Sequence, residues 1–503
     1  MIYFRFKKVA TKDFLIITYL LLLTILIRFP FFFEDVINWD ESTLILMGQS
    51  LLDGHLPYTE LWDLKPPIAF LAYAIFITIF GKSIISIRIG GALAVALSAF
   101  FTYFIGKTVW NTRVGILAGI IFILSSSFLP AGQATMTEHL ALVPLVGVLY
   151  ILISQEKKPF VLFLAGILMA IATMIRLNFA YVAVIVGLFI LLEKRLKLVL
   201  TYSAGFALIV GLTYLPYAFS GYHQIWWDSV IRASLNYSDA QLSLFETFVK
   251  HFNFTFKNFF ELSTLVLLGG VIGFFFNIWQ WRNFNQEKRY QILWLNLFLF
   301  GTVISILKSG AGHSHYLIQL TPFIALISVG FLDDVLSRYT YWLMASIIVV
   351  ALGFSMTELT NVANQYKLIA SHLKQGQKFP YGVTYEIAAY LRQENTENEP
   401  IYLMTNHLVY WHLNAKPLTK ISTHPSNISK DYLLTVMFGS DASTEKELTK
   451  ILSQKPRFIV KDEKVEYLSY KPEAKLLLEK NLRTNYQLVK EIDGIQIYSR
   501  IKP

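Results

Sequence analysis

Cysteine is absent from the 503-residue sequence. That excludes disulfides, thiolate nucleophiles and zinc–thiolate sites, and it says nothing of compartment. Charge is scarce too: charged residues make up 16% of the chain, against about 25% in an ordinary soluble domain. There is no Walker A loop, dinucleotide-binding fingerprint or nucleophile elbow, which argues against a nucleotide held in a P-loop or Rossmann domain. Internal repeats and low-complexity segments are missing as well. What the chain has instead is apolar, with 54% hydrophobic and 15% aromatic residues. Long apolar runs separated by short basic loops predict a polytopic α-helical membrane protein. The net charge of +10 is assigned to cytoplasmic loops facing anionic lipid, because no basic stripe alternates with aromatics. Membrane lipids are expected partners, and nucleic acid is not.

Arg5, Lys7, Lys8 and Lys12 precede a first span at 14–33, which places the N-terminus in the cytoplasm. No small-residue cleavage site follows that run, so it is expected to be retained. Further runs lie at 67–80, 84–106, 114–129, 139–154, 160–175, 179–192, 198–217, 261–281, 291–308, 315–332 and 339–356. The basic clusters Lys107/Arg113, Lys157/Lys158, Lys194/Arg195/Lys197, Arg282/Lys288/Arg289 and Arg338 are expected on the cytoplasmic side. Alternation holds only if 67–80, short for a bilayer, is an interfacial or re-entrant helix. The expectation is then about eleven crossings, with a range of roughly 11–13. The long outer loop 219–260 carries Trp226, Trp227, Phe245 and Phe248, suited to the membrane interface.

One outer loop, 34–66 and its junction with the next helix, concentrates polar chemistry. It holds Asn38-Trp39-Asp40-Glu41, Gly54-His55-Leu56-Pro57-Tyr58 and Trp62-Asp63-Leu64-Lys65-Pro66-Pro67. Leu44, Met47 and Leu51 recur at helical spacing, which predicts a short helix on the membrane surface from Glu41 to Asp53. Asp40 at its start has an ordinary structural reading as a helix cap. Set beside Glu41, Lys65 and Tyr58, it has a chemical one, because a carboxylate there can take a proton from an attacking hydroxyl. Lys65 stands before two prolines that stiffen the backbone, and it pairs with a lipid phosphate or simply snorkels.

Other outer-side residues are candidates for the same site. Arg88 and Arg176 fall on the same side as Lys65, which suggests a shared anion site. Glu138 and His139 lie in the 133–139 loop, where Glu138 either balances those cations and orients a ligand or complements a helix start. His313, His315 and Tyr316 sit in another outer turn. Two histidines two residues apart lack a defined zinc spacing, so hydrogen bonding to phosphate or sugar is the preferred reading and a metal is not favoured.

Beyond 356 the composition becomes charged and turn-rich, which predicts an extracytoplasmic α/β domain over 357–503 following a transmembrane catalytic domain over 1–356. Thr384–Gln393 reads as a helix, 400–404 and 457–460 read as buried strands, and Tyr486–Arg500 reads as a hairpin about Asp493-Gly494.

The acid pair of Trp39-Asp40-Glu41, the Gly54–Tyr58 element and Trp62…Lys65-Pro66-Pro67 together resemble the GT-C membrane glycosyltransferases. The nearest likeness is to the protein O-mannosyltransferase and aminoarabinose lipid A transferase superfamily. Phe80-Gly81-Lys82-Ser83 before Arg88, and His315-Tyr316-Leu317 before Pro322, are similar to the same pattern. The resemblance covers residues 14–330 and implies a GT-C fold. It also implies inverting transfer of a sugar from a polyprenyl-phosphate donor to an envelope acceptor on the outer face of the cell membrane, without a cofactor. By position, Asp40 and Glu41 would be catalytic, with Asp40 the general base. Lys65, Arg88, Arg176, His315 and Tyr316 would hold the donor phosphate. Tyr58, Glu138, His139 and His313 would meet sugar or acceptor, although Glu138 stands where the family commonly has aspartate. The chain lacks the β-trefoil insert of eukaryotic protein mannosyltransferases, which favours a bacterial or archaeal origin. A transporter or flippase of lipid-linked sugars is the main alternative, but repeats and mid-membrane polar groups are missing. A glycan polymerase or ligase would use similar chemistry.

Overall fold

The computed structural model describes residues 11–155, 158–193, 196–239, 242–258, 261–336 and 340–501. Arg5, Lys7, Lys8, Lys157, Lys194, Arg195 and Arg338 lie outside the described residues. Apolar helices dominate, each coinciding with an expected run. Among the described residues, seven helices are long and apolar enough to cross a bilayer, or eight if the bent pair Ala345–Phe354 and Met356–Lys374 forms one span. Thr112–Phe128, Pro159–Ile175 and Leu177–Leu192 are shorter apolar helices. Seventeen helical residues rise roughly 26 Å, close to the thickness of a hydrocarbon core. Pro67–Phe80, with 14 residues, is shorter still.

The chain forms two compact units, each discontinuous in sequence. The first comprises residues 1–31, 89–210 and 242–376; the second comprises 32–88, 211–241 and 377–503. This differs from the division at 356. The Met356–Lys374 helix stays with the first unit, and the polar loop after the first span joins the C-terminal part in the second.

In the first unit, helices pack through small residues, as expected where lipid offers no hydrophobic drive between them. Gly166 and Gly205 bring the Pro159–Ile175 and Leu196–Phe219 helices into backbone contact. A Cβ on Gly166 would stand 2.0 Å from the Tyr202 carbonyl oxygen, and one on Gly205 2.1 Å from that of Phe163. Lys107 pairs with Asp13, which also accepts from the Tyr103 hydroxyl, and Lys288 sits 2.8 Å from Asp334. The Leu244–Lys257 helix is amphipathic, with Phe245, Phe248, Phe252 and Phe256 exposed and Thr247, His251 and Thr255 buried.

In the second unit, a four-stranded sheet of order β1-β2-β4-β3 is built from β1 (Ile401–Leu403), β2 (Phe458–Asp462), β3 (Tyr486–Ile492) and β4 (Ile495–Arg500). β1 and β2 are parallel, while β2–β4 and β3–β4 are antiparallel. Asp493 and Gly494 turn the hairpin with φ of 47° and 77°, the double positive φ that a two-residue turn requires. Tyr402, Met404, Leu448, Ile451, Ile459 and Leu478 belong to the core beneath the sheet.

The helix expected to lie on the membrane surface is observed over Trp39–Leu52, but residues 41–48 are all buried. The apolar stripe does not decide its exposure, because both faces are covered. Pro67–Phe80 packs on one side, where a Cβ on Gly48 would lie 2.9 Å from Cβ of Tyr73 and 3.0 Å from the amide nitrogen of Ala74. On the other side Trp411 donates to Gln49 at 3.0 Å, and Thr43 donates to the Thr423 carbonyl at 2.8 Å. Gly48→Val is therefore expected to destabilise the protein by about 1–3 kcal/mol through overpacking, read as a lower midpoint of thermal unfolding in detergent.

Candidate functional site

Asn38, not Asp40, caps the Trp39–Leu52 helix. Its backbone is extended and its side chain accepts from the Asp40 N–H at 2.9 Å. With the cap supplied by its neighbour, the Asp40 carboxylate is available for other work. It stands at the second position of the helix, where the dipole favours negative charge.

Lys65 reaches it. Nζ lies 3.2 Å from Asp40 Oδ1 and 3.5 Å from Asp63 Oδ1, and Asp63 also accepts the Lys65 backbone N–H at 3.1 Å. Pro66 and Pro67 follow at once, as N-cap and first residue of the Pro67–Phe80 helix, so the lysine is fixed at a stiff junction. The Tyr58 hydroxyl donates to the Lys65 carbonyl at 2.7 Å. Tyr58 itself is buried, has φ of 72° and packs edge-on against Phe70. Its phenol thus shapes the loop that presents Lys65. Asp63 is sealed, whereas the side chains of Asp40 and Lys65 remain 25% and 15% exposed. Those two are the pair that a ligand can reach.

Glu41 and Arg88 form a separate pair. Nη2 of Arg88 lies 2.6 Å from Glu41 Oε2, with the side chains 0% and 1% exposed, and it donates to the Asp35 carbonyl at 2.9 Å. A fully buried ion pair satisfies both charges internally. Both side chains are turned into the core.

Arg176, Glu138, His315 and Tyr316 meet in the first unit. Arg176 Nη1 lies 2.8 Å from Glu138 Oε1, and His315 Nε2 lies 3.6 Å from the same oxygen. The guanidinium covers the Tyr316 ring at 4.1 Å and donates to the Thr137 hydroxyl at 2.9 Å. His313 is exposed and its ring stacks on His315 at 5.4 Å. His139 is buried, with Nε2 3.3 Å from the Ser126 carbonyl oxygen. Among the described residues, no group of three or more His, Asp or Glu side chains is arranged to hold a metal ion.

Sequence reasoning missed the contribution of the C-terminal segment. Thr423 donates to the Trp62 carbonyl at 2.7 Å, and Trp62 N–H donates to the Lys420 carbonyl at 2.9 Å. These bonds tie 420–430 to the Asp40 loop. His424 Nε2 comes to 3.8 Å from Asp40 Oδ1, and its ring stands edge-on to Trp39 at 5.9 Å. Burial, reinforced by Lys430, pushes the His424 pKa down to about 3 against the opposing pull of Asp40. Burial also lowers the Lys430 pKa, with Asp63 and then Asp40 opposing. Nothing in Ser422-Thr423-His424-Pro425 announces this role, because a separation of nearly 400 residues hides it.

The fold is similar to that of known proteins. Among solved structures, ArnT from Cupriavidus metallidurans in the apo state matches with a TM-score of 0.63 and 12% identity, over 98% of this chain and 99% of that one. ArnT bound to undecaprenyl phosphate matches with 0.60 and 11%, over 98% of each chain. The oligosaccharyltransferase AglB from Archaeoglobus fulgidus, in complex with an inhibitory peptide and a dolichol-phosphate, matches with 0.55 and 11%, over 98% of this chain and 74% of that one. Residues 64–217 match the family model of the dolichyl-phosphate-mannose-protein mannosyltransferases, while no curated protein matches in sequence. The chain shares the fold of these solved proteins over nearly its whole length, and within residues 64–217 it resembles the mannosyltransferase family.

Proposed function

We propose that this protein is an inverting glycosyltransferase of the cell membrane that moves a sugar from a polyprenyl-phosphate donor to an envelope acceptor on the extracytoplasmic face. The reading rests on one observation: a partly exposed carboxylate, Asp40, is held 3.2 Å from a lysine ammonium in the loop after the first span of a GT-C-like fold. Asp40 accepts the proton of the acceptor nucleophile as that atom bonds to the anomeric carbon. The bond from that carbon to the phosphate oxygen breaks, and the polyprenyl phosphate departs with the electron pair. Lys65 neutralises the charge that develops there, where a preorganised cation is most effective. Polyprenyl phosphates are the ligands named for the solved ArnT and AglB complexes, and a pinned lysine suits that class. Arg88 and Glu41 are assigned to hold the loop. Arg176, His315 and Tyr316 are assigned to the donor side, with Glu138 orienting Arg176. His313 is left for sugar or acceptor. Tyr58 and His139, whose hydroxyl and Nε2 are used on backbone carbonyls, support the site.

Purified protein incubated with radiolabelled undecaprenyl-phosphate monosaccharides and extracted envelope material is expected to transfer label to an acceptor. Movement of intact donor across vesicles without transfer would instead establish a flippase. Lys65→Met is expected to weaken binding of undecaprenyl phosphate about tenfold to a hundredfold, the range for losing one charge-assisted contact. Titration by isothermal calorimetry checks this, and unchanged affinity would remove Lys65 from the phosphate site.

A further inference from the structure

We propose that His424, from the C-terminal part of the chain, is a positioning residue for Asp40 that presents a neutral Nε2–H to its carboxylate. The inference rests on the reading of Asp40 as general base and adds to it a residue from another part of the sequence.

The tautomer follows from the other ring nitrogen. His424 Nδ1 accepts the Ser426 backbone N–H at 3.3 Å and lies 3.0 Å from the Ser426 hydroxyl, capping the Pro425–Ser429 turn. A nitrogen that accepts an amide hydrogen carries none of its own, so the proton resides on Nε2. That N–H faces Asp40 Oδ1 across 3.8 Å. Trp39 limits rotation of the ring, and Thr43 and Thr423 lock the segment to the helix that carries Asp40.

The separation is longer than a hydrogen bond, as catalytic contacts often are before substrate arrives. Lys65 holds the same Oδ1 at 3.2 Å. Once the ammonium turns to a donor phosphate, a shift of about 0.9 Å brings Nε2 to ordinary bonding distance and keeps the carboxylate aimed. The groups facing His424 are Asp40, Lys65, Lys430 and His407, of which the lysines and His407 disfavour a second ring proton. The imidazole therefore stays neutral and does not compete with Asp40 for the acceptor proton. On this view the C-terminal segment completes the chemistry of the loop.

Two substitutions separate positioning from simple capping. His424→Asn retains an acceptor for the Ser426 N–H but lacks the reach to Asp40. His424→Gln places a donor near the Nε2 position and sacrifices the cap. The readout is the pH dependence of Asp40 modification by a water-soluble carbodiimide in the full-length protein, followed by peptide mass spectrometry. A lost donor disfavours the carboxylate form, so His424→Asn is expected to raise the midpoint by about one pH unit, a tenfold change in proton affinity. His424→Gln is expected to stay near wild type. Transfer from undecaprenyl-phosphate monosaccharide is expected to show about a tenfold lower kcat in His424→Asn, with donor KM within about twofold. An unshifted midpoint in His424→Asn, or equal shifts in both variants, would overturn the proposal. Transfer retained in Asp40→Asn alongside the expected midpoints would overturn the general-base reading and leave the His424–Asp40 coupling in place.

Discussion

Asp40→Asn is expected to lower the rate of sugar transfer by about 10² to 10⁴-fold, the range for removing a positioned general base. Binding of undecaprenyl phosphate should change little, because Lys65 keeps Asp63 as its partner at 3.5 Å. The fold should also survive. The amide can still accept from Lys65 and His424, and Asn38 supplies the helix cap. Asp40→Glu keeps the charge but moves it by about one carbon–carbon bond, and misplacement on that scale costs about a hundredfold. Initial-rate measurements on the two variants, with melting midpoints as a control, check this. Undiminished transfer by Asp40→Asn would remove the residue from the chemistry. Equal loss of transfer and of folded protein would make it structural.

The Glu41–Arg88 pair carries the largest expected effect on stability. Both side chains are buried and 2.6 Å apart, so removing one leaves the other charge uncompensated in the core. Glu41→Ala and Arg88→Ala are each expected to destabilise the protein by about 3–5 kcal/mol. Replacing both at once, Glu41→Leu with Arg88→Met, should recover most of that loss, because no orphan charge remains. The recovery of monodisperse protein after heating in detergent measures the three variants. The double variant also tests Arg88 as a phosphate ligand. If it folds and binds undecaprenyl phosphate as wild type does, the arginine acts on the loop and not on the donor. A folded double variant with no affinity for the lipid would return Arg88 to the anion site.

Local patterns were legible wherever neighbours in sequence decide the outcome. The Asp493-Gly494 turn is one case, since two residues of positive φ suffice to reverse a pair of strands. The Lys65-Pro66-Pro67 junction is another, since proline sets its own backbone and starts the helix. The capping of the Asp40 helix was less legible. The sequence offered Asp40 as the cap; Asn and Asp are near-equal caps, and the geometry places Asn38 there. The burial of that helix is not legible in sequence, because its apolar stripe marks one buried face and cannot reveal a second cover.

Sequence alone determined that the chain is built of apolar helices and that acids, aromatics and one proline-locked lysine share a loop after the first of them. Hydrophobic runs and proline chemistry are local properties, readable without any partner. Tertiary structure decided which charges answer each other: Asp40 with Lys65, Glu41 with Arg88, Glu138 with Arg176. It also brought His424 to Asp40 across 384 positions. A charge selects its partner by distance and burial in three dimensions, and no spacing along a chain encodes either.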